Sequence, residues 1–422
     1  MTLEPRAFLT GLFTAAVEAA DPLAAIRAHL PEKPKGRTVV VGAGKAASQM
    51  AAAFESLWDG PLEGVVVARH GPVAACERIR VLQSAHPVPD EAGLAGSAEL
   101  LRLVEGLTPD DLVVALISGG GSSLLPAPPS GLTLEDEIVV NRALLASGAP
   151  ISAMNVVRKH VSRIKGGRLA FAAAPARVMS LIVSDVPGDN PAFVASGPTF
   201  PDLSTPADAL AIVSRYGMKL PEAVMRHLKS DQAAAPRPDH PSFVNQQHHI
   251  IASASVSLEA AAAKARSLGV EAVILSDAIE GEARDIGRMH AAIARETALR
   301  NRPFSKPVVI LSGGETTVTI LGDAYGKGGR NSEFLLSFAL DIDGVDGIHA
   351  LAADTDGIDG SEDNAGAFAD GSTIARMRAA GADPRDHLAR HDAWSAFNAS
   401  GDLFVPGPTG TNVNDLRALL IL

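Results

Sequence analysis

The sequence predicts an α/β protein of two domains. Three observations carry that prediction. Short apolar, β-branched runs alternate with stretches of helical apolar spacing along most of the 422 residues. Two of the runs, Leu112 to Ile117 and Pro307 to Leu311, end in glycine-rich stretches, Ser118-Gly119-Gly120-Gly121-Ser122-Ser123 and Ser312-Gly313-Gly314-Glu315. A proline-rich stretch without pattern, Ala233 to Pro241, divides the chain. The expected domains are 1–235 and 242–422, with the linker at about 232–241.

Taken in order, Ala7 to Ala20 reads as a first helix. Glu4 offsets Arg6 and Glu18 lies within the stretch, so it lacks the basic start of a signal peptide. Thr38 to Val41 is a buried strand that feeds Gly42-Ala43-Gly44-Lys45-Ala46-Ala47, and Lys45 to Trp58 has helical spacing. Gly64 to Ala68, Arg78 to Leu82, Leu112 to Ile117 and Val178 to Val183 are further strands, with helices at Glu91 to Gly106, Leu134 to Ala146 and Ile151 to Ile164. From Arg158 to Arg168 the chain is strongly basic, which reads as a solvated helix face. Beyond the linker, His249 to Ala252, Glu271 to Leu275, Pro307 to Leu311, Thr316 to Leu321 and Ile348 to Ala353 are strands. Helices at Ser257 to Leu268, Glu280 to Asn301 and Asn331 to Leu340 separate most of them, and Thr409 to Asp415 is a polar tail.

Bulk composition excludes several functions. The formal charge of −11, from 37 basic and 48 acidic residues, gives no global attraction to nucleic acid or an anionic membrane. Aromatic residues are only 4%, which argues against base stacking on aromatic platforms. The lone Cys76 rules out an internal disulfide framework and suits a reducing compartment, so the cytoplasm is expected. No apolar run approaches the roughly 18 residues of a membrane span. An anionic small molecule would need a local basic pocket.

The strand ends carry that chemistry. Gly42 to Ala47 fits the G-x-G-x-x-A dinucleotide fingerprint, but the next strand ends in Arg69-His70, where the pattern wants an acid. An arginine there suits a 2′-phosphate, which keeps an NADP reading open. Lys45 at a helix start opposes the helix dipole and is better placed to meet a bound anion. Ser118 to Ser123 reads as a phosphate-binding turn, with Gly313 and Gly314 as its counterpart. Asp185, Asp189, Glu315, Asp354, Asp356 and Asp359 are carboxylates at or just past strand ends, a donor type that holds Mg²⁺ against nucleotide phosphates. The stretch from Asp354 begins like a calcium loop, yet its twelfth position is Ala365, so an EF-hand is rejected. Arg330, after Gly328-Gly329, can neutralise a transferring phosphoryl group or clamp a carboxylate.

As an ordered set, Val41 to Ala46, Ser118 to Ser123, Ser184 to Asp189, Ser196-Gly197-Pro198-Thr199, Ser312 to Glu315, Gly329-Arg330-Asn331 and Asp354 to Gly357 resemble the MOFRL-type glycerate 2-kinases. Members of that family have also been labelled hydroxypyruvate reductases. The resemblance implies a Rossmann-like N-terminal domain, a C-terminal MOFRL domain and an active site in the cleft between them. It further implies phosphorylation of D-glycerate to 2-phosphoglycerate with ATP and Mg²⁺, and Lys45 and Arg330 as the key polar residues. The expected site therefore has Lys45 and Arg330 as catalytic groups, Ser118 to Ser123 with Gly313 and Gly314 on the phosphates, and Asp185, Asp189, Glu315 and Asp354 on the metal. The rival readings are NAD(P)H-dependent reduction of hydroxypyruvate and a non-catalytic nucleotide or sugar-acid sensor. A homo-oligomer is left open.

Overall fold

The computed structural model describes residues 3–201, 203–320 and 325–422. They form two compact units, one of Pro22–Ile251 and the other of the residues up to Asp21 together with Ala252–Leu422. In the first, β1 (Thr38–Ala43), β2 (Glu63–Arg69), β3 (Ile79–Ser84), β4 (Leu112–Ser118), β5 (Arg177–Val183) and β6 (Gln246–Ala252) make a sheet of order β3-β2-β1-β4-β5-β6. That is the order of a doubly wound dinucleotide-binding sheet. β3 to β2, β2 to β1, β1 to β4 and β4 to β5 all pair in parallel. Parallel strands are covered on both faces, which is why Val39, Val40, Val41 and Val113 to Leu116 form unbroken apolar runs with 0 to 1% exposure.

The second unit holds a mixed sheet. Its strands are β7 (Glu271–Ser276), β9 (Val308–Gly314), β11 (Ile348–Asp354), β12 (Gly366–Asp370), β13 (Leu403–Phe404) and β14 (Asp415–Ile421), in the order β13-β12-β11-β14-β9-β7. A separate two-residue ladder joins β8 (Gly281–Glu282) to β10 (Thr316–Thr317). β14 runs antiparallel between β9 and β11, so its start, Asp415, lies level with the ends of both neighbours, opposite Gly314 and Asp354. Period-two alternation sorts the side chains. Val308, Ile310, Ala350, Ala352, Leu419 and Ile421 face one layer with Phe334 and Phe338; Val309, Leu311, Leu351, Ala353, Ala418 and Leu420 face the other.

That second layer explains where the domain expectation of 1–235 and 242–422 differs from the structure. Phe8, Leu9, Leu12, Phe13 and Ala16 of the helix Pro5–Ala19 pack on Leu258, Ala261, Ala262 and Ala265 of the helix Ala254–Ser267. Burying four large apolar side chains at about 1.5–3 kcal/mol each holds the first helix to the C-terminal unit. The proline-rich stretch is not a linker either. The Ala233 carbonyl accepts from His160 and Arg168, and the Ala234 carbonyl from Arg168, before the chain continues into β6 of the first sheet.

Two further expectations change. Gly313 and Gly314 are strand residues of β9, paired with Leu416 and Asp415, rather than a turn. At Gly314, φ is +115° and a Cβ would run into the Ile279 backbone, so packing requires the glycine. The expected strand Thr316 to Leu321 is regular only at Thr316–Thr317, and Leu321 lies outside the described residues. Among the described residues no helix is long and apolar enough to cross a membrane.

Candidate active site

In the Pro22–Ile251 unit, the end of β4 is built against the turn after β1. The Lys45 N–H donates to the Gly119 carbonyl at 2.8 Å, and the Ala46 N–H to Ser118 Oγ at 3.0 Å. A Cβ at Gly44 would occupy the place of that Ser118 hydroxyl, and one at Gly42 would strike the Leu116 carbonyl. The glycines of the dinucleotide fingerprint thus serve strand packing. The N–H groups of Lys45, Ala46 and Ala47, just before and at the start of the helix Ala47–Leu57, are already committed, which takes three donors from the usual seat of a dinucleotide pyrophosphate.

Side chains converge on the outer face of the same turn. A Cβ at Gly120 would lie 3.0 Å from His86 Nε2 and 3.1 Å from Lys45 Cγ, and one at Gly119 would collide with the Asp185 carboxylate. Glycine at both positions lets the Lys45 side chain, an imidazole and a carboxylate approach the backbone closely. Lys45 has no ion-pair partner among the described residues. Partial desolvation, then Lys45 and Arg69, hold the His86 imidazole below its ordinary pKa, so it is neutral at pH 7. Asp189 ends a short 3₁₀ segment with φ of +52°, four residues beyond Asp185.

The serines build the turn rather than point away from it. Ser118 accepts from Ala46, Ser123 donates to the Gly120 carbonyl, and Ser122 Oγ lies 2.7 Å from Ser196 Oγ. Because Ser196 donates to Asn155 Oδ1 at 2.9 Å, the Ser122 hydroxyl donates to Ser196. Ala195 and Ser196 both have positive φ, 52° and 60°, a strain of about 1–2 kcal/mol each. Ala195 is held there against Gly121, whose Cβ would sit 2.6 Å from the Ala195 methyl.

The basic stretch after Arg158 is not a solvated face. Lys159, His160 and Lys165 are 0 to 1% exposed. Lys165 Nζ donates to the Leu125 carbonyl and to Glu137 Oε1, both at 2.7 Å, while Glu137 Oε2 accepts from the Ala127 N–H at 3.0 Å. One buried ion pair therefore pins the chain that leaves the glycine turn. Burial lowers Lys159 to about 8 and Arg168 to about 10.

In the other unit, Arg330 opens the helix Arg330–Asp341 and lies among three carboxylates. Its Nε donates to Asp415 Oδ1 at 2.8 Å, Nη1 to Glu315 Oε1 at 2.6 Å and Nη2 to Asp354 Oδ2 at 2.7 Å. Burial alone would lower its pKa; Asp415, Asp354 and Glu315 together raise it. Desolvation, opposed by Arg330 and reinforced by Asp415 and Asp356, pushes Asp354 up to about 8. Three of its five N–H groups are used, which leaves one on Nη1 and one on Nη2. Asp359 fixes the helix start, accepting from the Asn331 and Ser332 N–H groups at 2.9 and 2.8 Å, and a Cβ at Gly329 would strike it. Asp356 accepts from the Ile358 N–H, an Asx-turn. Behind the site, the wholly buried Arg417 donates to Asp415 Oδ2 at 2.6 Å and to the Gly313 carbonyl at 3.3 Å.

The sequence reading missed His86, Asn155, Asp415 and Arg417. It also grouped four carboxylates as metal ligands, of which Glu315 and Asp354 are bonded to Arg330. Among the described residues no three His, Cys, Asp or Glu side chains gather to hold a metal.

Residues 8–229 match a domain of unknown function (DUF4147), and residues 308–415 match the MOFRL family. A protein of Agrobacterium vitis whose name, hydroxypyruvate reductase, is provisional is 52% identical over 99% of this chain and 94% of its own. The D-glycerate 2-kinase of Thermotoga maritima is 40% identical over 96% of each chain. A crystal structure of glycerate kinase from the same organism superposes with a TM-score of 0.89 at 38% identity, covering 97% of this chain and 98% of that one. With two family models in sequence and kinase relatives matched almost end to end, this chain belongs to the MOFRL-type glycerate 2-kinase family.

Proposed function

We propose that the chain transfers the γ-phosphoryl group of ATP to the 2-hydroxyl of D-glycerate, giving 2-phosphoglycerate and ADP. The observation that carries this reading is the match along nearly the whole chain to a protein named D-glycerate 2-kinase. The geometry is in keeping with it. Phosphoryl transfer asks a protein mainly for positioning and for positive charge where the transferring group sits. The ammonium of Lys45, whose side chain borders Gly120, supplies such a charge, and the two remaining N–H groups of Arg330 are of a type suited to a carboxylate or phosphate. Lys45 and Arg330 are the catalytic residues in this reading, with Ser118 to Ser123 as the scaffold on which the phosphates rest.

Mg²⁺ bound with nucleotide phosphates needs only one or two protein carboxylates. Asp185, lying against the glycine turn, and Asp189 after it are hard oxygen donors of the right type and would hold it; the ion would neutralise charge on the β- and γ-phosphates. Glu315 and Asp354 do not fit that role while they hold Arg330.

The name of the 52%-identical relative favours a second reading, reduction of hydroxypyruvate with NADPH. The committed donors at Lys45 and Ala46 weigh against it. Purified protein incubated with D-glycerate, Mg²⁺ and ATP should release ADP in a glycerate-dependent way, and should leave NADPH unoxidised with hydroxypyruvate. The opposite pair of results would replace the kinase reading with the reductase, and silence in both assays would leave the sensor.

A further inference from the structure

His86 leaves β3 two residues after its last member, and its imidazole reaches over the glycine turn that follows β4. There it shares one small space with Lys45: both side chains border the position a Cβ of Gly120 would fill. The ring is solvent-accessible, and neither nitrogen has a hydrogen-bond partner among the described residues. An imidazole placed for packing would be buried or bonded; this one is presented to whatever the turn receives. The charged groups that act on it are Lys45 from the turn after β1 and Arg69 from the end of β2, while Asp185 lies over the adjacent Gly119. Asp90, nearby in the chain, is engaged by Ser84 and the Ala85 and Gly93 N–H groups.

Resting on the kinase reading, we propose that His86 is the catalytic base, its Nε2 taking the proton of the glycerate 2-hydroxyl as that oxygen attacks the γ-phosphorus. The O–H bond breaks and a C–O–P linkage forms. The bond between the γ-phosphorus and its bridging oxygen breaks, ADP leaves with that oxygen, and the imidazole later passes its proton to water. Partial desolvation, then Lys45 and Arg69, favour the unprotonated ring before substrate binds, ready to accept. The negative charge of bound phosphates offsets those cations, which makes protonation easier at the moment it is needed.

The test is the pH profile of kcat/KM for D-glycerate in wild type, His86→Gln and Arg69→Gln, with ATP affinity and thermal stability measured alongside. Wild type should lose activity on an acid limb at or below pH 6.5. His86→Gln should lose about 10²–10⁴-fold in kcat, retain ATP affinity, and show no such limb. Arg69→Gln removes one cation that lowers the imidazole pKa, so its acid limb should move to higher pH, a change that a merely structural histidine would not produce. Turnover of His86→Gln within threefold of wild type, or an acid limb unmoved in both variants, overturns the assignment. If His86→Gln proves unstable, the Arg69→Gln shift decides alone. Wild type without glycerate-dependent ADP release would instead sink the kinase reading, and this role with it.

Discussion

His290 should make the stability of the C-terminal unit fall steeply in mild acid. Its ring is 0% exposed, with Nδ1 2.8 Å from the Ile286 carbonyl and Nε2 2.9 Å from Ser312 Oγ, edge-on to Phe334. Desolvation dominates, and Arg417 adds to it against the Ile286 carbonyl, bringing the pKa from 6.5 to about 4. Unfolded, the imidazole takes a proton near pH 6.5; folded, it does so only near pH 4. The unfolded chain therefore binds the proton first, and stability present above pH 6.5 is lost as pH falls through that window. Integrating between those two values gives a loss of about 2 kcal/mol by pH 5 and about 3 kcal/mol by pH 4. Carboxylates titrate in the same range, so the comparison must be with His290→Gln, which keeps an amide in the site and cannot ionise there. Urea unfolding followed by Trp394 fluorescence in a Trp58→Phe background reports the unit that holds His290. The gap between wild type and variant should shift by about 2 kcal/mol in the variant's favour from pH 7 to pH 5. A gap constant within about 0.5 kcal/mol would refute a buried neutral imidazole.

Two other substitutions test the site's supports. Glu137→Gln strands the Lys165 ammonium in a site 2 to 4% exposed, and leaving one charge of a buried pair uncompensated costs about 3–5 kcal/mol. Calorimetry should show a fall in Tm of about 6–20 °C for the 22–251 unit, and an unchanged Tm would show that the pair is not closed to water. Arg330→Lys keeps the charge but replaces a planar fork satisfied by Asp415, Glu315 and Asp354 with a point charge. Its kcat should fall at least tenfold with little change in ATP affinity, and wild-type turnover would remove the fork from the mechanism.

The sheet of the first unit was legible in the sequence because its central strands β1 and β4 are nearly continuous apolar runs closed by turns, and the topology follows from βα units. Lys45 and Arg330 stand out as candidates in the sequence because each follows glycines near a helix start. The second unit was harder to read. Asp415 lay at the end of what looked like a polar tail, and only the insertion of β14 between β9 and β11 brings it to Arg330. The basic stretch after Arg158 misled for a different reason: charge reads as exposure unless its partner is known, and Glu137 lies 28 residues before Lys165. His86 had no local pattern, since its meaning comes from Gly120, a residue on another strand's turn. The proline-rich stretch from Ala233 looked like a linker because nothing in its own composition shows that Arg168 and His160 hold it.

The most direct test of the central claim is the identity of the product. Wild type and Lys45→Ala should be incubated with ATP, Mg²⁺ and D-glycerate and followed by ³¹P NMR. Wild type should convert D-glycerate to 2-phosphoglycerate with one ADP for each molecule formed. Lys45→Ala should remain folded and lose at least a hundredfold in rate, the scale of losing one well-placed electrostatic donor. A 3-phosphoglycerate resonance, ADP release independent of glycerate, or near-normal turnover without the Lys45 ammonium would contradict the account.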